Sequence, residues 1–315
     1  RLAVEEISKN LKTRLVLGDQ LLRVETIWGE KNGKYTELSP LKFRSHSIGT
    51  SELLKLKTAQ DMKKKEFEVL SPKLIDILKR TKENNEHTFL FCARKGMYPS
   101  TTCSDCGTVV VCKNCNTPVV LYSHKTKEKN LFVCNHCGER RDASELCKYC
   151  GGWRLATLGI GIERVAEKVE SVLKATDIII MDKDHVKTHK QAVKARDYFY
   201  NTPGSIMIGT EMALTYLNQK IENSCVISID SYFSIPDFQI NEKIFQILLS
   251  LKSISSKNFL VQTRQENTKI FDNAIQGNLM DFYRAEIEDR KATDYPPFAT
   301  YIKLSLEGEK NKVKK

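Results

Sequence analysis

Eight cysteines form four Cys-x-x-Cys pairs in one stretch of the chain: Cys103/Cys106, Cys112/Cys115, Cys134/Cys137 and Cys147/Cys150. A gap of two residues lets both sulfurs of a short turn reach one ion, and zinc takes four thiolates in a tetrahedron. Three pairs are followed by glycine (Gly107, Gly138, Gly151) and the fourth by Asn116. These residues tolerate the left-handed backbone that a tight metal-holding turn tends to need. Eight thiolates make two closed sites with no open coordination position, so the chemistry they predict is structural rather than catalytic.

Four pairs can be shared between two ions in three ways. The inner pairs, Cys112/Cys115 and Cys134/Cys137, are separated by 18 residues, a zinc-ribbon spacing. Between them Thr117-Pro-Val-Val-Leu-Tyr122 and Asn130-Leu-Phe-Val133 read as the strands of a hairpin with its tip at 123–129. The outer pairs then meet as Cys103/Cys106 with Cys147/Cys150, and this nested pairing is the one the spacing favours. Disulfides are the first alternative, and the lack of a secretory signal beside the cysteines argues against them. A redox pair is the second, and four regular copies argue against that. His136, between two ligands, reads as an exposed turn residue.

Other residues carry weaker signals. His185 and His189 are four apart and could share a helical face with Asp182 and Asp184; an exposed polar helix start explains them better than a metal site does. Cys92 and Cys225 sit in apolar strands and read as buried thiols. Lys125, Lys127 and Lys129 at the hairpin tip, with Arg140 and Arg141 nearby, are candidates for contact with nucleic-acid phosphates or a partner; a solvated charged loop is the alternative. Lys63-Lys64-Lys65 reads as a solvated run. Trp153 offers a ring for an unpaired base, with packing against the module as the competing expectation.

The elements that must position this cluster are legible around it. The 315 residues are 41% hydrophobic with a formal charge of +11, which two four-thiolate zinc sites would reduce to about +7. That balance favours an anionic partner. No apolar run approaches the 18 residues of a membrane span, and reduced thiols without targeting signals predict a cytoplasmic protein with no membrane association. The opening on Arg1 reads as a piece of a longer chain. Helices are expected over 3–12, 71–85, 161–174, 188–200, 238–252, 267–276 and 278–291, the second started by Ser71-Pro72. Strands are expected at 13–17, 35–38, 87–92, 177–182, 205–210, 225–230, 258–263 and 298–306, with a hairpin turn over 29–34. Apolar strands alternating with helices predict an α/β fold with a parallel sheet covered on both faces.

Several segments, taken in order, carry a resemblance: Leu70-Ser-Pro-Lys-Leu-Ile75, Phe89-Leu-Phe-Cys-Ala-Arg-Lys-Gly96, Leu158-Gly-Ile-Gly-Ile-Glu-Arg-Val165, Asp182-Lys-Asp184, Ile208-Gly-Thr-Glu-Met212, Pro236-Asp-Phe238 and Tyr295-Pro-Pro-Phe298. With the cysteine cluster interrupting the lobe after its first strand, the chain resembles the primosomal protein N′ (PriA) family of replication-restart DNA helicases over nearly its whole length. The resemblance implies a RecA-like helicase lobe with a two-zinc insertion and ATP with Mg2+ as family cofactors. It also implies forked or single-stranded DNA and replication-restart proteins as partners. The implied division is 1–36 as a remnant of the first lobe, 37–100 plus 151–265 as the second lobe, 101–150 as the two-zinc module, and 266–315 as a connection into a C-terminal domain.

The chain departs from the family where the ATP chemistry resides. No phosphate loop is present, because Gly29-Glu-Lys-Asn-Gly33-Lys34-Tyr35 is one residue short and lacks the hydroxyl that holds magnesium. The acidic magnesium motif is missing too, and both motifs could lie upstream of Arg1, whereas the remaining losses fall inside the matched segments. The family's Ser-Ala-Thr-Pro-Ser loop is replaced by Asp19-Gln-Leu-Leu-Arg23. Its Lys-Gly-His-x-Phe-Pro segment is replaced by Ala213-Leu-Thr-Tyr-Leu-Asn-Gln219, and its Gln-Val-Ala-Gly-Arg-Ala-Gly-Arg motif by Ser250-Leu-Lys-Ser-Ile-Ser-Ser-Lys257. Lys252 or Lys257 offers a point charge but not the planar fork of an arginine, whose loss costs about 10³–10⁵ in rate. The expectation is therefore a DNA- or partner-binding relative without ATP hydrolysis and with no catalytic residue assigned. Two alternatives stand beside it: part of an active helicase with divergent motifs, and a zinc-ribbon protein serving RNA or transcription.

Overall fold

The computed structural model describes residues 2–38, 49–56, 68–93, 101–103, 108–122, 130–134, 137–153, 155–157, 162–173, 177–235, 237–265 and 267–302. The chain divides into two compact units, Arg1–Leu41 with Met280–Lys315, and Lys42–Leu279.

In the smaller unit, helix α1 (Leu2–Asn10) forms where the sequence predicts it, whereas the expected strand at 13–17 is unpaired chain. The 24–38 region also differs from expectation. Helix α2 (Val24–Lys31) replaces the hairpin turn, and no strand forms at 35–38. Gly29 lies inside this helix because the Tyr35 ring packs on it, and a Cβ there would stand 2.6 Å from Tyr35 Cε2. The glycine that resembled a turn signal marks a close approach instead. In the C-terminal helix Leu279–Ala292, fully buried Arg290 donates to Glu286 at 2.9 Å and to Glu25 and the Pro296 carbonyl at 3.2 Å. Residues 298–302 form no strand, and 303–306 lie outside the described residues.

The larger unit begins with strand β1 (Thr50–Lys55), helix α3 (Pro72–Glu83) and strand β2 (Thr88–Cys92). Ser71 caps α3 by accepting the Leu74 N–H on its hydroxyl at 3.3 Å, and Pro72 takes the first helical position, where no N–H is needed. An insertion follows with five short strands: β3 (Thr101–Cys103), β4 (Val120–Tyr122), β5 (Leu131–Val133), β6 (Arg140–Asp142) and β7 (Leu155–Thr157). The lobe resumes with α4 (Ile162–Val172), β8 (Ile178–Met181), α5 (His189–Asn201), β9 (Ile206–Gly209), α6 (Glu211–Leu214), β10 (Ile221–Ser228), α7 (Ile240–Ile254), β11 (Ser255–Thr263) and α8 (Lys269–Gln276).

Six strands form one sheet in the order β1-β11-β10-β2-β9-β8, every pair parallel. This is the α/β arrangement that the alternation predicts. Strands β2 and β9 are buried at every position, because helices cover both faces of a parallel sheet. On one face Leu90, Ile208 and Leu260 pack with Leu74 and Leu78 of α3 and Val165 and Val169 of α4. Alternate residues Phe89 and Phe91 turn the other way, and α7 lies against β10 and β11. Strand β1 carries no clear apolar alternation, since Leu54 is its one buried residue. Edge strands need little apolar sequence, which is why this one was not legible. Among the described residues, no helix is long and apolar enough to cross a membrane.

Candidate metal centre

The insertion repeats one closing hydrogen bond four times. In each, the first cysteine's N–H donates to the carbonyl five residues on: Cys103 to Thr108, Cys112 to Thr117, Cys134 to Glu139 and Cys147 to Gly152, at 2.8 to 2.9 Å. The residue after the second cysteine donates back to the first cysteine's carbonyl, from Asn116 at 3.1 Å, Gly138 at 3.0 Å and Gly151 at 2.9 Å. All three of these residues have positive φ, at 55°, 77° and 68° respectively. A Cβ on Gly138 or Gly151 would meet nothing within 4 Å, so those glycines supply conformation rather than space. Gly107 lies outside the described residues.

Two thiol clusters result. Cys112, Cys115, Cys134 and Cys137 converge, with Cys112 Sγ 3.5 Å from Cys137 Sγ and Cys115 Sγ 3.5 Å from Cys134 Sγ. Cys103, Cys147 and Cys150 form the second, with Cys103 Sγ 3.6 Å from Cys150 Sγ; Cys106 lies outside the described residues. A disulfide holds its sulfurs at about 2.05 Å. A tetrahedron with metal–sulfur bonds of about 2.3 Å has edges of about 3.8 Å. The spacing therefore suits metal ligation, and the donor set of the first cluster is that of a closed four-thiolate site, while the second brings three thiols together among the described residues. The Asn114 N–H points at Cys112 Sγ and the Gly152 N–H at Cys150 Sγ, each at 3.4 Å. Such donors stabilise a thiolate.

Strand pairing explains the nesting. β4, β5 and β6 form an antiparallel sheet that carries Cys112/Cys115 to Cys134/Cys137. Antiparallel β3 and β7, with Cys103 opposite Leu155, close the base of the insertion and bring Cys103 to Cys147 and Cys150. The third strand, β6, was hidden by its charge, because Arg140-Arg141-Asp142 carries no apolar signal.

Arg141 links the two halves. Its guanidinium donates to Glu139 at 3.1 Å, Glu145 at 3.3 Å and the Val111 carbonyl at 2.8 Å, and it lies over the Phe132 ring at 5.2 Å. Glu145 also pairs with Lys113 at 2.6 Å. One charge cluster thus joins the Cys112 turn to the segment entering Cys147. Glu139 Oε2 lies 2.8 Å from Cys112 Sγ; burial and this neighbouring carboxylate push the Cys112 thiol well up. For Cys115 burial acts in the same upward direction, but the hydroxyl and backbone of Thr117 outweigh it and bring the thiol to about 6. Arg140 is exposed, Arg141 is held inside the module, and Lys125, Lys127 and Lys129 lie outside the described residues.

The weaker candidates have structural partners. Asp182 Oδ1 accepts the N–H groups of Asp184 at 3.1 Å and His185 at 2.8 Å and lies 2.7 Å from His185 Nδ1. His189 instead lies 3.2 Å from the Tyr216 hydroxyl, so the two histidines do not converge. A capping box between Thr188 and Gln191 starts α5 there. Cys92 and Cys225 are buried, and burial raises both thiols. Trp153 is 77% exposed, contrary to the expectation that it packs on the module. Lys63-Lys64-Lys65 lies outside the described residues.

No protein-family model matches the chain. Curated relatives named replication restart protein PriA do. The protein of Rickettsia prowazekii is 28% identical over 305 residues, covering 94% of this chain and 46% of the relative. That of Bacillus subtilis is 25% identical over 290 residues, covering 90% and 35%, and that of Thermotoga maritima is 26% identical over 248 residues, covering 77% and 33%. The chain spans less than half the length of these relatives. A parallel α/β lobe carrying two thiol clusters, similar along most of its length to PriA proteins of diverse bacteria, is a divergent PriA-like sequence.

Proposed function

We propose that this chain is a metal-bearing helicase-type lobe of a replication restart protein, which binds forked or single-stranded DNA and restart partners. The observation that carries this reading is the insertion itself: two nested thiol clusters leave the parallel sheet after β2 and return before α4, in a chain aligned along most of its length with PriA relatives. In this reading Cys112, Cys115, Cys134 and Cys137 hold one zinc, and Cys103, Cys106, Cys147 and Cys150 hold the other. Zinc would supply rigidity, on the order of 10–16 kcal/mol per site. The chain's own residues orient the thiolates through the repeated turn and the N–H groups aimed at sulfur.

We further propose that this chain's residues do not carry ATP hydrolysis. Two lysines occupy the segment where the family has its arginine motif, and both have other partners. Lys252 is buried and donates to the carbonyls of Ala274 at 3.3 Å and Ile275 at 2.6 Å, at the C-terminal end of α8. Lys257 pairs with Glu86 at 2.6 Å, at the end of the sheet where β2 and β11 begin. Ligands of open parallel sheets bind beyond the opposite, carboxyl ends.

The reading is tested by measuring forked-DNA binding and DNA-stimulated ATPase activity on the purified chain. Fork binding with no turnover is expected. Turnover that survives purification would support a working helicase with divergent motifs, and preference for structured RNA over forks would support an RNA-binding zinc ribbon.

A further inference from the structure

We propose that the two metal sites differ in permanence. The inner cluster, Cys112, Cys115, Cys134 and Cys137, is the exchangeable one, loosened by the carboxylate of Glu139, while the outer cluster keeps its ion. Zinc supply then orders or releases the sheet of β4, β5 and β6 and leaves the base of the insertion intact. The inference concerns regulation of the centre described above, and it rests on the zinc reading of that centre.

Glu139 sets the inner cluster apart. Its carbonyl accepts the Cys134 N–H at 2.9 Å, and in the other three repeats of that bond the acceptor belongs to Thr108, Thr117 or Gly152. Only the Cys134 repeat therefore places a carboxylate at this position. Glu139 Oε2 reaches across to lie 2.8 Å from Cys112 Sγ. Zinc is held by thiolates, so a loaded inner site sets a negatively charged sulfur against a carboxylate at contact distance, and like charges repel. Arg141 offsets the repulsion only in part. Its Nη1 donates to the same Glu139 oxygen at 3.1 Å, but the guanidinium also serves Glu145 at 3.3 Å and the Val111 carbonyl at 2.8 Å. The Arg141 and Glu139 side chains are 12% and 16% exposed, so salt and water screen this contact weakly.

Access and backbone support act in the same direction. Cys137 of the inner cluster is exposed, whereas Cys103 and Cys147 of the outer cluster are buried and Cys150 is half-buried. A competing ligand in solution can therefore reach an inner sulfur directly. Cys103 lies within β3, where it pairs with Leu155 of β7. None of the four inner cysteines lies within a strand, so their positions depend more on the ion itself. Charge, exposure and backbone support all weaken the same site.

The test uses the full chain as purified with its zinc. A chromophoric chelator in excess reads release over time, and native mass spectrometry of the same samples counts the ions that remain. Release in two phases is expected, the first about ten-fold faster than the second. At the one-zinc stage, hydrogen-exchange protection is lost over 120–122, 130–134 and 140–142 and kept over 101–103 and 147–152. Glu139→Gln keeps the shape of the side chain and an oxygen for Arg141 while removing the charge. It slows the fast phase about ten-fold and leaves the slow phase unchanged. A merely structural role for Glu139 moves the rate the other way, because the Arg141 contact is weakened. The proposal is overturned if both ions leave in one phase, if the first ion leaves the outer cluster, or if the Gln variant releases as fast as the parent or faster. Two zinc ions released uniformly overturn this inference and leave the metal reading intact, whereas a folded chain purified without zinc overturns both.

Discussion

In the sheet lobe, Leu74, Leu78, Leu90, Val165 and Val169 are fully buried in one continuous cluster. The corresponding cluster of the insertion is Cys112, Val119, Phe132 and Cys134, half of it thiols. The lobe can hold its strands by excluding water from apolar side chains. The insertion has strands of three residues and too few apolar contacts to fold on that basis. Its backbone is specified by turns closed at Cys112, Cys134 and Cys147, and a metal is what would make those turns mutually stable. Two regions of one compact unit therefore depend on different chemistry, and they should fail separately.

Stripping metal with a strong chelator is the most disruptive test of that contrast. The insertion should lose stability on the order of 10 kcal/mol, seen as loss of hydrogen-exchange protection over 108–122 and 137–153. Strands β2, β9 and β10 should stay protected, and simultaneous collapse of the lobe would erase the distinction. Leu90→Ala is the converse. It should cost about 2–5 kcal/mol, lowering the Tm of the lobe while metal content per folded chain stays unchanged.

Arg141→Ala sharpens the comparison inside the insertion. Losing the bonds to Glu139, Glu145 and the Val111 carbonyl should cost about 1–3 kcal/mol and leave Glu139 facing Cys112 with its partner cation removed. Chelator-driven metal release should accelerate, and the two clusters should release at distinct rates. Unchanged release would mean that the charge cluster does not couple them.

The smallest expected effect lies at the polar end of the sheet. Burial would raise the Glu86 carboxyl, but Lys257 and Asn223 outweigh it and hold the group below its ordinary value. A folded-state value below the unfolded one stabilises the fold above the ordinary value of 4.5 and is lost as pH falls through the folded value. Lys257→Met should therefore narrow the difference in Tm between neutral and acidic buffer, with the loss appearing on the neutral side. An unchanged acid limb would remove this pair from the account.

Legibility followed the same division. Strands such as Phe89-Leu-Phe-Cys92 and helix starts such as Ser71-Pro72 announce themselves through burial and capping, and the cysteine turns through spacing. Strands β1 and β6 did not, because an edge strand and a charged hairpin strand need no apolar pattern to pair. Gly29 misled because a glycine under an aromatic ring has the same sequence signature as a turn glycine. The Arg141 cluster could not be read at all, since it depends on residues that only the fold brings together. Trp153 was expected to pack, and its exposure follows from the small core of the insertion, which has few apolar partners to offer it.

Native mass spectrometry of the purified chain tests the central claim most directly. Two zinc ions per chain are predicted, falling to one when Cys134 is replaced by serine, with the sheet lobe still folded. A metal-free mass for a folded chain, or disulfide mass losses in place of zinc, would contradict it.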